Sequence, residues 1–221
     1  MLKDKIYNGD CLEGMQGLPD KCIDIVVTDP PYLMGYQSNW RTKKFDKIEN
    51  DNNTTFIPQY FKECERVMKD NTAIYCFCSW HHVDLFKQEF TKYFKLKNIL
   101  IWIKNNHGSG DLKGAYAPQY EMILYGHKGR ALLQQKRMAD IIYCPKVAGS
   151  IAKHPTQKPI SLLETFIVNN SHPGDVVLDG CMGVGSTAQA AINTGRHFIG
   201  WEIADEYYQI ASQLNIRSTP C

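Results

Sequence analysis

The sequence predicts an α/β fold, with a mainly parallel sheet of seven strands and helices on both of its faces. Three observations support this prediction: strand-like and helix-like stretches alternate, the strand-like stretches are unbroken apolar runs, and the chain has 221 residues. Unbroken apolar strands are typical of sheets covered on both faces, and the alternation is typical of parallel strands joined by helices. The length suits one domain of this kind.

The individual elements are predicted from local patterns of apolar residues. Phe56, Tyr60 and Cys64 recur at helical spacing, and Pro159 opens a later helix because proline fits the first helical turn. Strands are predicted at residues 5–8, 23–28, 73–78, 96–103, 119–125, 176–178 and 197–201. Helices are predicted at residues 12–18, 56–69, 81–90, 159–169, 187–194 and 204–214.

Two segments interrupt this alternation. Residues 33–55 are polar and rich in Lys, Asn and Asp, and residues 126–155 are basic with weak periodicity. From Lys104 to Lys158 the chain carries nine basic and three acidic residues, a net +6, whereas the remainder carries 16 and 20, a net −4. Long loops are often functional, and a basic segment on an acidic body suggests a polyanionic partner. A solvated surface explains the charges equally well.

The composition argues against membrane and metal roles. No apolar run is long enough to cross a bilayer, and the N-terminus lacks the apolar core of a signal peptide. The eight cysteines are therefore expected to be thiols in a reducing cytosol. Cys76 and Cys78 lie near His81 and His82, but no second ligand pair follows, so we expect a core strand and no metal site.

The first motif with chemical content is Asp29-Pro30-Pro31-Tyr32. It follows the apolar strand at 23–28 directly, so an acid and an aromatic ring come at the end of a buried strand. The prolines fix the backbone and make this a rigid turn. Such a turn either serves structure alone or forms a site that grips a flat, polar ring.

A second motif, DVVLDGCMGVGSTAQAA, indicates a nucleotide site. A strand ends at Asp179, a glycine-rich loop follows, and a small-residue helix begins near Thr187. Glycines let the backbone approach a ligand closely. Glu202 ends the next strand, where it could hold the two hydroxyls of a ribose. The glycine spacing differs from that of dinucleotide sites, and Asp179 suits a positively charged ligand such as S-adenosylmethionine.

Together these motifs resemble those of the β-group amino-methyltransferases of DNA. The matching pieces are TDPPY, KHPTQKP at 153–159, LDGCMGVGST and IGWEI, in the family's order, and the resemblance covers nearly the whole chain. It implies a Rossmann-like S-adenosylmethionine-dependent methyltransferase fold with a permuted motif order, in which the catalytic turn precedes the cofactor loop. It also implies a single catalytic domain over residues 1–221, acting on double-stranded DNA in the cytoplasm.

The resemblance assigns roles by position. Asp29 and the Pro30 carbonyl would accept hydrogen bonds from the amine of a flipped base, with Pro31 holding the turn and Tyr32 stacking on the base. The implied cofactor residues are Asp10 and Cys11 near the adenine ring, Thr156 and Lys158 near the methionine end, and Asp179, Met182, Gly183, Gly185, Ser186, Thr187 and Glu202. The implied DNA contacts are Arg41, Lys43 and Lys44 on a mobile loop at 33–55, and Lys128, Arg130, Lys136 and Arg137 in a small target-recognition insert at 126–155.

Several alternatives stay open at this stage. Related enzymes usually have Asp-Pro-Phe where this chain has Asp179-Gly180-Cys181, so Met182 or a neighbour must cover the cofactor's adenine or binding is weaker. The aspartate of the first motif favours adenine N6 over cytosine N4 as target. An RNA or protein-amide methyltransferase and a catalytically silent nucleic-acid-binding protein remain rivals, and a dinucleotide-dependent oxidoreductase is disfavoured. A homodimer and a cognate restriction enzyme are possible partners.

Overall fold

The structure, a computed structural model, describes residues 3–32, 55–108, 112–152, 154 and 156–214. The strands are β1 (Lys5–Asn8), β2 (Ile23–Thr28), β3 (Met68–Cys78), β4 (Lys95–Ile103), β5 (Tyr120–Lys128), β6 (Ile141–Tyr143), β7 (Val176–Asp179) and β8 (His197–Glu202). The helices are α1 (Cys11–Gln16), α2 (Phe56–Val67), α3 (Val83–Phe90), α4 (Ile160–Asn170), α5 (Ser186–Asn193) and α6 (Asp205–Ser212).

All eight described strands form one sheet in the order β1-β8-β7-β2-β3-β5-β4-β6. Only β5 runs against the others, because it pairs antiparallel with both β3 and β4. The predicted α/β class with a mainly parallel sheet is confirmed, although the sheet has one strand more than the seven expected. The additional strand, β6, has three residues and pairs parallel with β4. Its apolar run is too short to be distinguished in the sequence.

Helices cover both faces of the sheet. Buried residues of α1, α2 and α3 belong to one apolar core, and those of α4, α5 and α6 belong to the other. Strand β2 supplies both cores, with Val26 in the first and Ile25 and Val27 in the second. Because successive side chains of a strand point to opposite faces, a strand buried on both faces must be apolar throughout.

The structure revises the boundaries of the segment at 126–155. Its first three residues complete β5, and residues 141–143 form β6, so part of the segment belongs to the sheet. The loop predicted at 33–55 lies outside the described residues, except for residue 55. None of the helices in the described ranges combines the length and apolarity needed to span a bilayer.

The strand order changes direction at the centre of the sheet, where β2 has β3 on one side and β7 on the other. Strand β2 lies between β7 and β3, and the crossover helices lie on different faces on its two sides. In open α/β sheets, ligands bind outside the carboxyl ends of the strands at such a switch point. Both sequence motifs follow strands that meet there.

Candidate active site

The two motifs are in direct contact. The Thr28 hydroxyl, at the end of β2, donates a hydrogen bond of 2.9 Å to Asp179 Oδ1 at the end of β7. Thr28 Oγ1 also lies 2.7 Å from the Tyr60 hydroxyl, which accepts a bond from the Gly180 backbone at 3.1 Å. The catalytic turn and the glycine-rich loop therefore form one site, because β2 and β7 are parallel neighbours in the sheet.

Asp29 is held by two side chains. The Tyr32 hydroxyl donates to Asp29 Oδ1 at 2.5 Å, and the Lys158 ammonium donates to Oδ2 at 2.5 Å. Burial raises the pKa of Asp29, and the charge of Lys158 acts in the opposite direction. Each carboxylate oxygen can accept a second hydrogen bond, so Asp29 keeps acceptor capacity for a ligand. Pro30 is buried and Pro31 is partly buried beside it.

Lys158, which the resemblance places near the methionine end of the cofactor, also contacts the catalytic turn. Its ammonium donates to Asp29, to Glu121 Oε2 at 3.2 Å and to the Thr156 carbonyl at 3.3 Å. A lysine has three N–H donors, and these three protein acceptors use them all. Burial would lower the pKa of Lys158, yet the carboxylates of Asp29 and Glu121 raise it above its ordinary value.

Glu121, on β5, is a site residue that the sequence reasoning missed. Its Oε1 lies 2.6 Å from the Lys104 ammonium, and its Oε2 lies 3.2 Å from both Lys158 Nζ and the Tyr32 hydroxyl. Burial acts to raise the pKa of Glu121, but the two lysines hold it below its ordinary value. An acid inside an otherwise apolar strand was the available signal, because such an acid needs a partner.

Asp179 is buried and accepts three hydrogen bonds. Its Oδ1 accepts from Thr28 and from the Cys181 backbone at 3.0 Å, and its Oδ2 accepts from Thr187 Oγ1 at 2.6 Å. Burial raises the pKa of Asp179 to about 6, in spite of these hydrogen bonds. A nearby positive charge on a ligand would relieve this penalty, because an opposite charge favours the ionised form.

The glycine-rich loop turns tightly from β7 into α5. Gly183 and Gly185 have positive φ angles of 55° and 86°, a conformation that favours glycine. A Cβ atom at Gly183 would meet no atom of the described residues within 4 Å, so the backbone here borders open space. Ser186 begins α5, and Met182 is buried, with its backbone N–H bonded to the Trp201 carbonyl at 2.8 Å.

Glu202 lies on the other side of this open space, at the end of β8. It is 9% exposed, and its two carboxylate oxygens accept from the backbone of Gly183 at 2.7 Å and of Ala204 at 2.9 Å. A carboxylate can accept about four hydrogen bonds, so Glu202 keeps acceptor capacity for a ligand hydroxyl. Asp10 caps α1 through the Leu12 backbone at 2.7 Å.

One cavity of about 910 Å³ joins these groups. It extends from Asp29 and Glu121 at one end to Glu202 at the other. All eleven predicted cofactor residues except Gly185 line it, and so do Cys181 and the four residues of the catalytic turn. Trp80 also lines it, with its ring 52% exposed and stacked on His81 at 3.8 Å between ring centroids. Trp102, in contrast, is 1% exposed and belongs to the core.

The predicted DNA contacts are not brought to this cavity. Lys128 ends β5 at the opposite edge of the sheet, where its ammonium donates to the Glu65 and Met68 carbonyls at 2.6 and 2.9 Å. The Arg130 backbone bonds to Asn71 at that same edge. Lys136 and Arg137 are exposed near the C-terminal end of α4, which points away from the cavity. Arg41, Lys43 and Lys44 lie outside the described residues.

The direction of β5 explains where these basic residues lie. The sequence pattern grouped the basic residues by their order along the chain, but β5 carries the chain from the cavity to the far edge of the sheet. Strand β6 then carries it back, and Lys146 lines the cavity. Lys104, before β5, and Lys146, after β6, therefore both line the cavity, whereas Lys128 between them does not.

Comparison with known proteins identifies the family. The sequence model of the DNA methylase family N6_N4_Mtase matches residues 23–213. The chain belongs to this DNA methylase family. The resemblance drawn from the motifs is thereby confirmed. The DNA adenine methyltransferase YhdJ of Escherichia coli (strain K12) is 31% identical, and the alignment covers 93% of this chain and 80% of YhdJ.

Other relatives agree with this membership. The Type II methyltransferase M2.MboI of Moraxella bovis is 27% identical, with 97% of this DNA methylase and 88% of M2.MboI covered. The crystal structure of the M1.HpyAVI–SAM complex superposes with a TM-score of 0.68 at 27% identity, covering 94% and 97% of the two chains. The cytosine-N4-specific PvuII DNA methyltransferase reaches 0.77 at 17% identity, over 98% and 88% of the chains, which shows a shared fold alone.

Proposed function

We propose that this DNA methylase transfers a methyl group from S-adenosylmethionine to the N6 amine of adenine in double-stranded DNA. The observation that carries the proposal is the contact between the Asp29 turn and the Asp179 loop within one cavity. The family is a DNA methylase family, and its relative YhdJ is named a DNA adenine methyltransferase. M1.HpyAVI has been solved with SAM.

The residues at the glycine-rich end suit this cofactor. Asp179 and Glu202 are buried carboxylates beside an open backbone position at Gly183. Asp179 would hold the positively charged end, whereas the free lone pairs of Glu202 would accept from ribose hydroxyls. S-adenosylmethionine supplies, when bound, an electrophilic methyl group on a positively charged sulfur.

Asp29 and Pro30 would prepare the amine of the base. The lone pair of an exocyclic amine is delocalised into the ring, so the amine is a poor nucleophile. Two acceptors aimed at its hydrogens, the Asp29 carboxylate and the Pro30 carbonyl, favour the pyramidal and nucleophilic form. The target base must leave the duplex to reach these groups. Positioning and electrostatics then account for most of the rate.

The target base, the partner proteins and the cellular location are also part of the proposal, and each has indirect support. The aspartate of the turn and the name of YhdJ favour adenine, whereas the cytosine-N4 neighbour shares only the fold. The Type II name of M2.MboI supports a cognate restriction enzyme. A chain of 221 residues covers little DNA alone, which favours a homodimer. A DNA substrate favours a cytoplasmic location.

Transfer of tritium from labelled S-adenosylmethionine to unmethylated duplex DNA tests the proposal. We expect label in N6-methyladenine with the wild-type protein, none with Asp29→Ala, and wild-type levels with Asp140→Asn, which alters an exposed acid away from the cavity. Label in N4-methylcytosine would contradict the choice of base. Transfer to RNA but not to DNA, or cofactor binding without any transfer, would contradict the proposed activity.

A further inference from the structure

We propose that Glu121 is a positioning residue for methyl transfer, because it shares the Lys158 ammonium with Asp29 and thereby holds Lys158 in place and the Asp29 carboxylate correctly oriented. The inference rests on the proposed role of Asp29 as the acceptor for the amine of the base. Neither Glu121 nor its contact with Lys158 was anticipated from the sequence motifs.

The contacts form a closed ring of four side chains. Lys158 Nζ joins Asp29 Oδ2 at 2.5 Å and Glu121 Oε2 at 3.2 Å. The Tyr32 hydroxyl closes the ring, 2.5 Å from Asp29 Oδ1 and 3.2 Å from Glu121 Oε2. Both oxygens of Asp29 are therefore held, which fixes the plane of its carboxylate. Each oxygen keeps one lone-pair position, directed by the ring, for the amine of the base.

Glu121 also balances the charge of the ring. Its Oε1 pairs with Lys104 at 2.6 Å, so two carboxylates face two ammonium groups in a partly buried cluster. Lys158 is 6% exposed at its side chain. A lysine so buried loses its charge easily unless anionic partners hold it, and Asp29 provides only one. Glu121 is the second anion that keeps Lys158 charged beside Asp29.

Removal of the Glu121 carboxylate and removal of the Lys158 ammonium should shift the pKa of Asp29 in opposite directions. The carboxylate of Glu121 raises the pKa of Asp29, whereas Lys158 lowers it. Without Lys158, Asp29 should protonate at higher pH and become unable to accept from the amine. Without Glu121, Asp29 should stay ionised at lower pH, but Lys158 is no longer held in place. A residue that served packing alone would lower the rate equally at every pH.

The test is a pH profile of single-turnover methyl transfer to unmethylated duplex DNA at saturating tritiated S-adenosylmethionine. The variants are Glu121→Gln, Lys158→Met and Asp29→Ala, with Glu65→Gln as the matched control. Glu65 also pairs with a lysine, Lys128 at 3.1 Å, but at the far edge of the sheet. Circular dichroism and calorimetric titration with the cofactor verify folding and binding.

We expect methyl transfer by Glu121→Gln to be roughly tenfold slower at neutral pH, the effect of one charged hydrogen bond. The acid limb of its pH profile should lie at lower pH than that of the wild type. Lys158→Met should be roughly a hundredfold slower, with its acid limb at higher pH. Glu65→Gln should match the wild type in both rate and profile. If Glu121→Gln does not fold, Glu121→Asp should show the same slower transfer, because its shorter side chain cannot reach Lys158.

Three results would overturn the inference. A wild-type rate and profile for Glu121→Gln or Glu121→Asp, beside an inactive Asp29→Ala, would remove the positioning role and leave the proposed function intact. A rate that falls equally at all pH values would indicate a packing role only. Full activity of Asp29→Ala would instead contradict the proposed function on which the inference rests.

Discussion

Replacement of Asp179 by asparagine should stabilise the ligand-free protein and weaken its binding of S-adenosylmethionine. Asp179 is 2% exposed, and burial raises its pKa from 3.8 to about 6. A carboxyl group with a raised folded-state pKa contributes stability below its unfolded pKa and loses it as the pH rises through the folded value. Above about pH 6 the ligand-free protein therefore buries the ionised Asp179 carboxylate, which is solvated in the unfolded chain.

The size of the effect follows from the shift. A difference of about 2 pKa units corresponds to about 3 kcal/mol near neutral pH. Asparagine removes this term but loses one acceptor, the oxygen that faces Thr187 at 2.6 Å, at a cost of about 1 kcal/mol. The net gain in the free energy of unfolding is about 2 kcal/mol, or a rise in Tm of about 4–8 °C for a domain of this length.

Thermal unfolding of the free protein at about pH 4.5 and about pH 7.5 measures the effect. The advantage of the Asp179→Asn variant should be small at the lower pH and reach its full size at the higher one, whereas cofactor affinity should fall at least about tenfold. Asp140→Asn serves as the exposed control. A variant less stable than the wild type at the higher pH, or a difference independent of pH, would refute the reasoning.

Three further predictions concern the cofactor end, the glycine-rich loop and the far edge of the sheet. Glu202→Gln should weaken cofactor binding about tenfold in calorimetry, because an amide offers one acceptor oxygen instead of two; unchanged affinity would contradict the ribose assignment. Gly180→Ala should lower the free energy of unfolding in urea by about 1–3 kcal/mol, because a Cβ there would lie 2.4 Å from the Tyr60 ring. The double variant Lys136→Ala, Arg137→Ala should keep wild-type DNA affinity and salt dependence in filter binding, since both residues lie far from the cavity; a smaller salt slope would restore them as phosphate contacts.

Most of the fold could be predicted because its signals are local. The strand at 23–28 is an apolar run that stops at a rigid turn, and the structure begins and ends β2 at those residues. The strand before Asp179 is predicted at residues 176–178, and β7 extends one residue further, to Asp179. Because β2 and β7 are parallel neighbours, the residues that follow them meet at one edge of the sheet. The shared cavity of Asp29, Asp179 and Glu202 follows from that rule.

The ring around Lys158 could not be predicted, because it depends on contacts between distant parts of the chain. Lys158 and Asp29 are 129 residues apart, and Tyr32 and Glu121 are 89 apart. No periodic pattern indicates which acid a buried lysine will meet. The direction of β5 is equally hidden, since an apolar run looks the same in a parallel and an antiparallel strand. For that reason Lys128 was expected near DNA and lies at the opposite edge.

The hydrogen bond between Thr28 and Asp179 has a consequence for the synthesis of the chain. It spans 151 residues, and β7 is one of the two neighbours of β2 in the sheet. After the catalytic turn has emerged from the ribosome, α4, β7 and β8 must still be synthesised before the chain could hold a cofactor. Until β7 is present, one side of β2 is an apolar edge strand with unpaired backbone groups, and such strands favour aggregation. A chain cut short before residue 176 would thus carry Asp29, Glu121 and Lys158 and still be inactive.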